Sequence, residues 1–89
     1  MNIAIVDNEK IELETAEALL RFYVKKFWAD CESRIHIETF YNAKVFLTFF
    51  SPKFYQLVIL GGHMKKIANL IYSTNIKILF LKSDCEEDL

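Results

Sequence analysis

Short apolar runs of strand length alternate with segments of helical period from end to end of this chain, and that alternation predicts an α/β domain on a parallel sheet. Two further features agree. The runs Ile3-Ala4-Ile5-Val6 and Leu57-Val58-Ile59-Leu60 are apolar throughout, the profile of strands covered on both faces. The chain's only 2 glycines, Gly61 and Gly62, stand together directly after the second run, so backbone rather than side chain occupies the end of that strand. In an open α/β sheet the carboxyl edge of the strands is where ligands bind. Here the edge is expected, but residue 61 brings no side chain to it.

The elements follow in order. Ile3 to Val6 forms a first strand, ended by Asp7-Asn8-Glu9. Asp7 or Asn8 can cap the next helix, and Glu9 and Glu12 suit its positive end. From Lys10 to about Trp28, Leu13, Ala16, Leu20, Tyr23 or Val24, and Phe27 recur at helical spacing. Phe22 and Trp28 fall off that stripe and hint at a second contact surface. Arg34 to Phe40 alternates, with Ile35, Ile37 and Thr39 set against His36 and Glu38, as a half-exposed edge strand does. Asn42 caps a short helix through Phe50, which Ser51-Pro52 ends. Tyr55 to Leu60 is a strand, Met64 to Ser73 a helix, and Ile76 to Leu81 a last strand before the polar segment Ser83 to Leu89. The Phe46, Phe49 and Phe50 cluster reads as core. Nothing repeats, and no linker divides residues 1–89, so they form one domain.

Composition narrows the function. A hydrophobic content of 53% with 26% charged residues supports a packed core and argues against disorder. The net charge of −1 gives no electrostatic footprint for nucleic acid. Lys25-Lys26 and Lys65-Lys66 read as solvated helix faces. No apolar run approaches membrane-spanning length, and Met1 to Val6 carries no export pattern, so a cytoplasmic protein with no membrane partner is expected. In that setting Cys31 and Cys85, without paired spacing, are expected to be reduced thiols.

Met1-Asn2-Ile3-Ala4-Ile5-Val6-Asp7-Asn8-Glu9 resembles the opening of a bacterial response regulator receiver domain, in which an acidic pair ends the first strand. Tyr55 to Leu60 with His63-Met64 resembles that family's third strand, whose next residue is the phosphoacceptor aspartate. Ile76 to Ser83 resembles the fourth, which ends in a threonine or serine. The likeness is nearest to receivers of LytTR-type regulators, and it runs only as far as the fourth strand. It implies a three-layer, flavodoxin-like sheet truncated to four strands in the order 2-1-3-4, with helices on both faces, and a role in two-component or phosphorelay signalling.

Where the chain departs from the family, the implied activity changes. Asn8 stands for the second acid of the pair, Gly61 occupies the acceptor position, and Lys82, beside Ser83, stands near the switch hydroxyl. The family's fifth strand, its lysine and its last helix have no counterpart in these residues. The resemblance therefore implies a pseudo-receiver: not an enzyme, with weak or absent magnesium binding, no metal ligand beyond a residual Asp7, and action through protein contact. A sharper idea has Lys82 reaching Asp7 or Glu9 in place of the cation. With the fifth strand missing, the fourth becomes an edge, and its residues Ile76, Ile78 and Phe80 are expected to meet a second copy or another signalling protein. Two alternatives stay open. Gly61-Gly62 before a helix can hold an anion or other small molecule, or the chain is a decayed fragment without activity. His63 has no nucleophile or orienting acid at a recognisable spacing and reads as a packing or surface residue.

Overall fold

In the computed structural model the described residues are 1–62, 64–71 and 76–81. Four parallel strands, β1 (Asn2–Val6), β2 (His36–Phe40), β3 (Leu57–Leu60) and β4 (Lys77–Phe80), lie in the order β2-β1-β3-β4. Helices α1 (Lys10–Phe27), α2 (Ala43–Phe49) and α3 (Lys65–Ile71) connect them, and a short 3-10 segment, Ala29–Arg34, follows α1. This is the expected α/β architecture with the expected strand order. The Gly61 turn, the cap of α2 and the edge position of β2 all fall where the sequence puts them.

The all-apolar strand β1 takes the centre. Ile3 pairs with Ile37 on one side and Leu57 on the other, and Val6 with Phe40 and Leu60. Alternate residues feed two separate cores, because successive side chains of a strand point to opposite faces. On one face Ile3, Ile5 and Ile59 pack with Leu13 of α1, and Ala16 and Leu20 join them. On the other, Ala4, Val6, Val58 and Leu60 pack with Phe46 of α2 and with Ile67, Ala68 and Ile71 of α3. Helices therefore cover both faces. Phe46 anchors the second core: it is fully buried, with Phe40, Phe50 and Tyr55 ring centroids 5.3, 5.4 and 6.2 Å away. Truncating such a residue costs about 3–5 kcal/mol.

Helix ends follow local chemistry. Asn42 caps α2, its Oδ1 accepting from the Lys44 and Val45 amides at 2.8 and 3.2 Å. Helix α1 carries Glu12 in its first turn and Lys25 and Lys26 in its last, the arrangement the helix dipole favours. Its cap position is Glu9, with extended backbone and no side-chain bond, so neither Asp7 nor Asn8 is the N-cap. The inward stripe uses Leu13, Ala16, Leu20 and Val24, whereas Tyr23 and Phe27 are exposed. Thr39 and Phe49, expected inside, also face solvent. Cys31 is a free thiol whose Sγ lies 3.6 Å from the Trp28 carbonyl oxygen, while Cys85 lies outside the described residues.

β4 pairs with β3, Leu57 to Leu60 opposite Lys77 to Phe80, and is the outermost strand among the described residues. Of the edge residues expected to meet a partner, Ile76 and Ile78 turn back onto the α2–α3 core. The apolar surface that β4 leaves open is Leu79 and Phe80. Leu79 alternates in phase with Leu81, which packs on the α1 face. Helix α1 packs chiefly across β1 and β2, and Leu79 is half exposed.

One polar bond clamps the bottom of the second core. The Tyr55 hydroxyl donates to Glu38 Oε1 at 2.5 Å, joining the segment before β3 to the edge strand β2. Burial, then the hydrogen bond and the negative charge of Glu38, push the Tyr55 phenol well above its ordinary value. A folded-state value above the unfolded one means this contribution is complete below the unfolded tyrosine range, about pH 10, and is lost as pH rises through the higher folded value. Tyr55→Phe should cost about 1 kcal/mol at pH 7 by urea unfolding. The gap from the parent should narrow once pH passes about 10, and a gap that stayed constant into strong alkali would contradict the assignment.

Candidate functional site

The register that pairs Val6 with Leu60 also sets the next residues, Asp7 and Gly61, side by side at the carboxyl edge. Backbone bonds extend the ladder one step beyond the strands: the Asp7 amide donates to the Phe40 carbonyl at 3.0 Å and the Gly61 amide to the Val6 carbonyl at 2.9 Å. The Gly61 carbonyl accepts from the Met64 amide at 3.0 Å, which turns the chain toward α3.

Asp7 is fully buried, the sole buried polar or charged side chain among the described residues. Its Oδ1 accepts from the Glu9 amide at 2.9 Å, closing a tight turn over Asn8 that launches α1. A carboxylate removed from water is costly unless hydrogen bonds and packing hold it. Glycine at 61 follows from this neighbour. A Cβ there would lie 2.8 Å from Asp7 Cγ, 2.8 Å from Oδ2 and 3.1 Å from Oδ1. The Asp7 carboxylate thus occupies the space in which any side chain at residue 61 would begin.

Few oxygen donors for a divalent cation gather here among the described residues. Magnesium asks for several oxygen donors in octahedral order. Asp7 offers an enclosed carboxylate already engaged by the Glu9 amide. Asn8 is a neutral, exposed amide and Gly61 has no donor side chain. Among the described residues no three of His, Cys, Asp and Glu gather to hold a metal ion. Of the other residues singled out in the sequence, His63, Lys82 and Ser83 lie outside the described residues, as does any contact of Lys82 with Asp7 or Glu9.

Two further surfaces stand out, one without a local sequence signal and one at which Phe22 already hints. The first is a groove lined by Glu38, Phe40, Phe49, Ser51, Phe54 and Tyr55, on the α2 side of the sheet. Its polar members meet across 17 positions of sequence, a separation no local pattern signals. The second is the outer flank of α1. Leu19, Phe22, Tyr23 and Phe27 are each more than half exposed, with Phe22 edge-on to Tyr23 at 6.0 Å and Tyr23 stacked on Phe27 at 5.6 Å. The Lys26 ammonium lies over the Phe22 and Phe27 rings, 5.6 and 5.7 Å from their centroids. The signal for this surface was present as a second helical stripe, shifted around α1 from the one that enters the core.

No family model, curated protein or solved structure matches this chain. The likeness to receivers therefore rests on the quoted residues and on the strand order. No helix among the described residues is long and apolar enough to cross a membrane.

The crowding at residue 61 has a measurable consequence. Gly61→Ala should destabilise the protein by about 1–3 kcal/mol, the usual effect of forcing atoms into filled space. In an Asp7→Ala background, where the obstructing carboxylate is gone, the same change should cost far less. Urea denaturation of the four proteins of this cycle reads the coupling directly. Equal costs in both backgrounds would show that Asp7 is not what demands glycine.

Proposed function

We propose that this chain is a degenerate receiver-like domain, a pseudo-receiver, that serves signal transduction by protein–protein contact without phosphotransfer. One observation carries the reading: the point from which an acceptor side chain would project is filled by the buried Asp7 carboxylate. A receiver brings its acceptor and its acidic pair together around a cation. In this chain the strand order and the position of Asp7 match that plan, while Asn8 and Gly61 remove the charge and the acceptor oxygen. What supports an interaction role is the surface. Leu79 and Phe80 on β4 and the aromatic flank of α1 are large apolar groups left open on a small domain, and such groupings mark contact sites more often than chance exposure does.

Geometry weighs against an anion at Gly61-Gly62. The Gly61 amide is committed to the Val6 carbonyl, and the nearest side chain is a carboxylate, which repels negative charge. Enzymatic chemistry has no nucleophile–base pair to work with among the described residues of this edge.

Incubation with acetyl phosphate and magnesium, followed by intact-mass measurement, should leave the protein unmodified. A phosphoryl adduct that disappears in Asp7→Asn would overturn the proposal, because it would place a working acceptor at β1 instead of β3.

A further inference from the structure

The groove on the α2 side of the sheet brings together an acidic group and a set of rings that the contact reading does not use. It offers a volume of about 510 Å³, within the range of small-molecule sites. Glu38 and Phe40, two apart on β2, share the face that their register partners Ala4 and Val6 turn toward α2. Phe49 closes α2, and Ser51 and Phe54 follow in the connection to β3. Phe40, Phe49, Phe54 and Tyr55 give the groove aromatic walls, and Glu38 is the charged residue among those described as lining it. The walls are fixed from behind. The buried Tyr55 ring lies 4.9 Å from that of Phe54, at 87°, and 6.2 Å from that of the fully buried Phe46. A site ordered in advance spares a ligand the cost of ordering it.

The Tyr55 hydroxyl donates to Glu38 Oε1 and so holds the carboxylate beside these rings. Among the described residues no cationic side chain pairs with Glu38. Arg21, which borders the adjoining hollow together with Glu38 and Phe54, is bridged to Glu17 at 2.9 Å. A carboxylate among rings selects its guest by charge and by hydration. An anion is repelled by Glu38. A neutral apolar guest strips water from the carboxylate and returns no hydrogen bond or charge. A small metal ion asks for several oxygen donors, and the rings supply none. A cation whose charge is carried on alkyl groups suits both kinds of wall, since ring faces attract it and it sheds water readily.

We propose that this groove binds a small organic ammonium ion, with its charge beside Glu38 and its alkyl groups against Phe40, Phe54 and Tyr55. Such a site stands independently of the contact reading above. Nuclear magnetic resonance titration of the full, isotope-labelled chain with choline tests it. The controls are potassium chloride at equal ionic strength and the uncharged isostere of choline in which carbon replaces the quaternary nitrogen. Choline should shift the amides of Glu38, Phe40, Phe54 and Tyr55 saturably, and potassium chloride should not reproduce those shifts. The isostere should bind at least about tenfold more weakly. Glu38→Gln keeps an oxygen for the Tyr55 hydroxyl, and Phe54→Leu keeps apolar bulk without the ring. Each should weaken choline binding at least about threefold while its amide spectrum stays that of a folded chain. Shifts that never saturate, or that appear only at other amides, overturn the proposal. So does an isostere or a folded variant that matches the parent's affinity for choline. None of these outcomes touches the contact reading, whose own test is phosphoryl transfer.

Discussion

The close approach of the Asp7 carboxylate to the backbone of Gly61 is the constraint around which the carboxyl edge is organised. Asp7 joins β2 through its amide, closes the turn into α1 through Oδ1, and fills the volume beside β3 that a residue 61 side chain would need. One residue thus fixes the exit of the central strand, the start of the longest helix and the identity of a residue on a neighbouring strand. A buried carboxylate is an expensive way to do this unless its oxygens are engaged, and the Glu9 amide engages one of them. The cost of that arrangement is chemical: the same contact that satisfies the edge structurally leaves it no room for an acceptor group.

Much of the architecture was legible in the chain because it is written in periodicity. Continuous apolar runs gave the two inner strands, alternation gave the edge strand β2, and Asn42 announced α2 by a capping chemistry confined to four consecutive residues. The misreadings share one physical cause, which is that local pattern does not say how much surface is available to cover. Helix α1 carries two apolar stripes, and the sequence cannot say that the sheet face it covers has room only for the stripe ending at Val24. Of the pair Tyr23 or Val24 it is Val24 that enters the core, and Phe27, on the same spacing, lies exposed. Asp7 was read as a helix cap because its residue type favours that role. The structure uses the same propensity one step earlier, in a turn over Asn8. At the site, Gly61 was recognisable as a position without a side chain, but the reason for glycine was not, since it depends on a neighbour 54 positions away. The Tyr55–Glu38 clamp was invisible for the same reason.

The distribution of aromatic residues separates what holds the domain together from what it shows to others. Phe40, Phe46, Phe50 and Tyr55 form a chain of ring contacts beneath α2, where each ring's burial supports the next. Phe22, Tyr23 and Phe27 form a second such chain, equally ordered, with no sheet beneath it. Ring-on-ring order within a core follows from close packing. On the surface of α1 the contacts follow from helical spacing, since residues four apart such as Tyr23 and Phe27 are neighbours on one face.

Size makes the second chain of rings consequential. A domain of 89 residues buries a smaller share of its apolar surface than a larger one, and this one divides its interior between two thin cores on either side of a four-stranded sheet. Neither core can take in the outer flank of α1 without exposing the inner flank, since a helix presents only one stripe to a flat sheet. The excess apolar surface of the described residues is thus a geometric remainder of the fold. The Asp7 carboxylate crowds residue 61, and it is on this crowding that the proposed contact role rests.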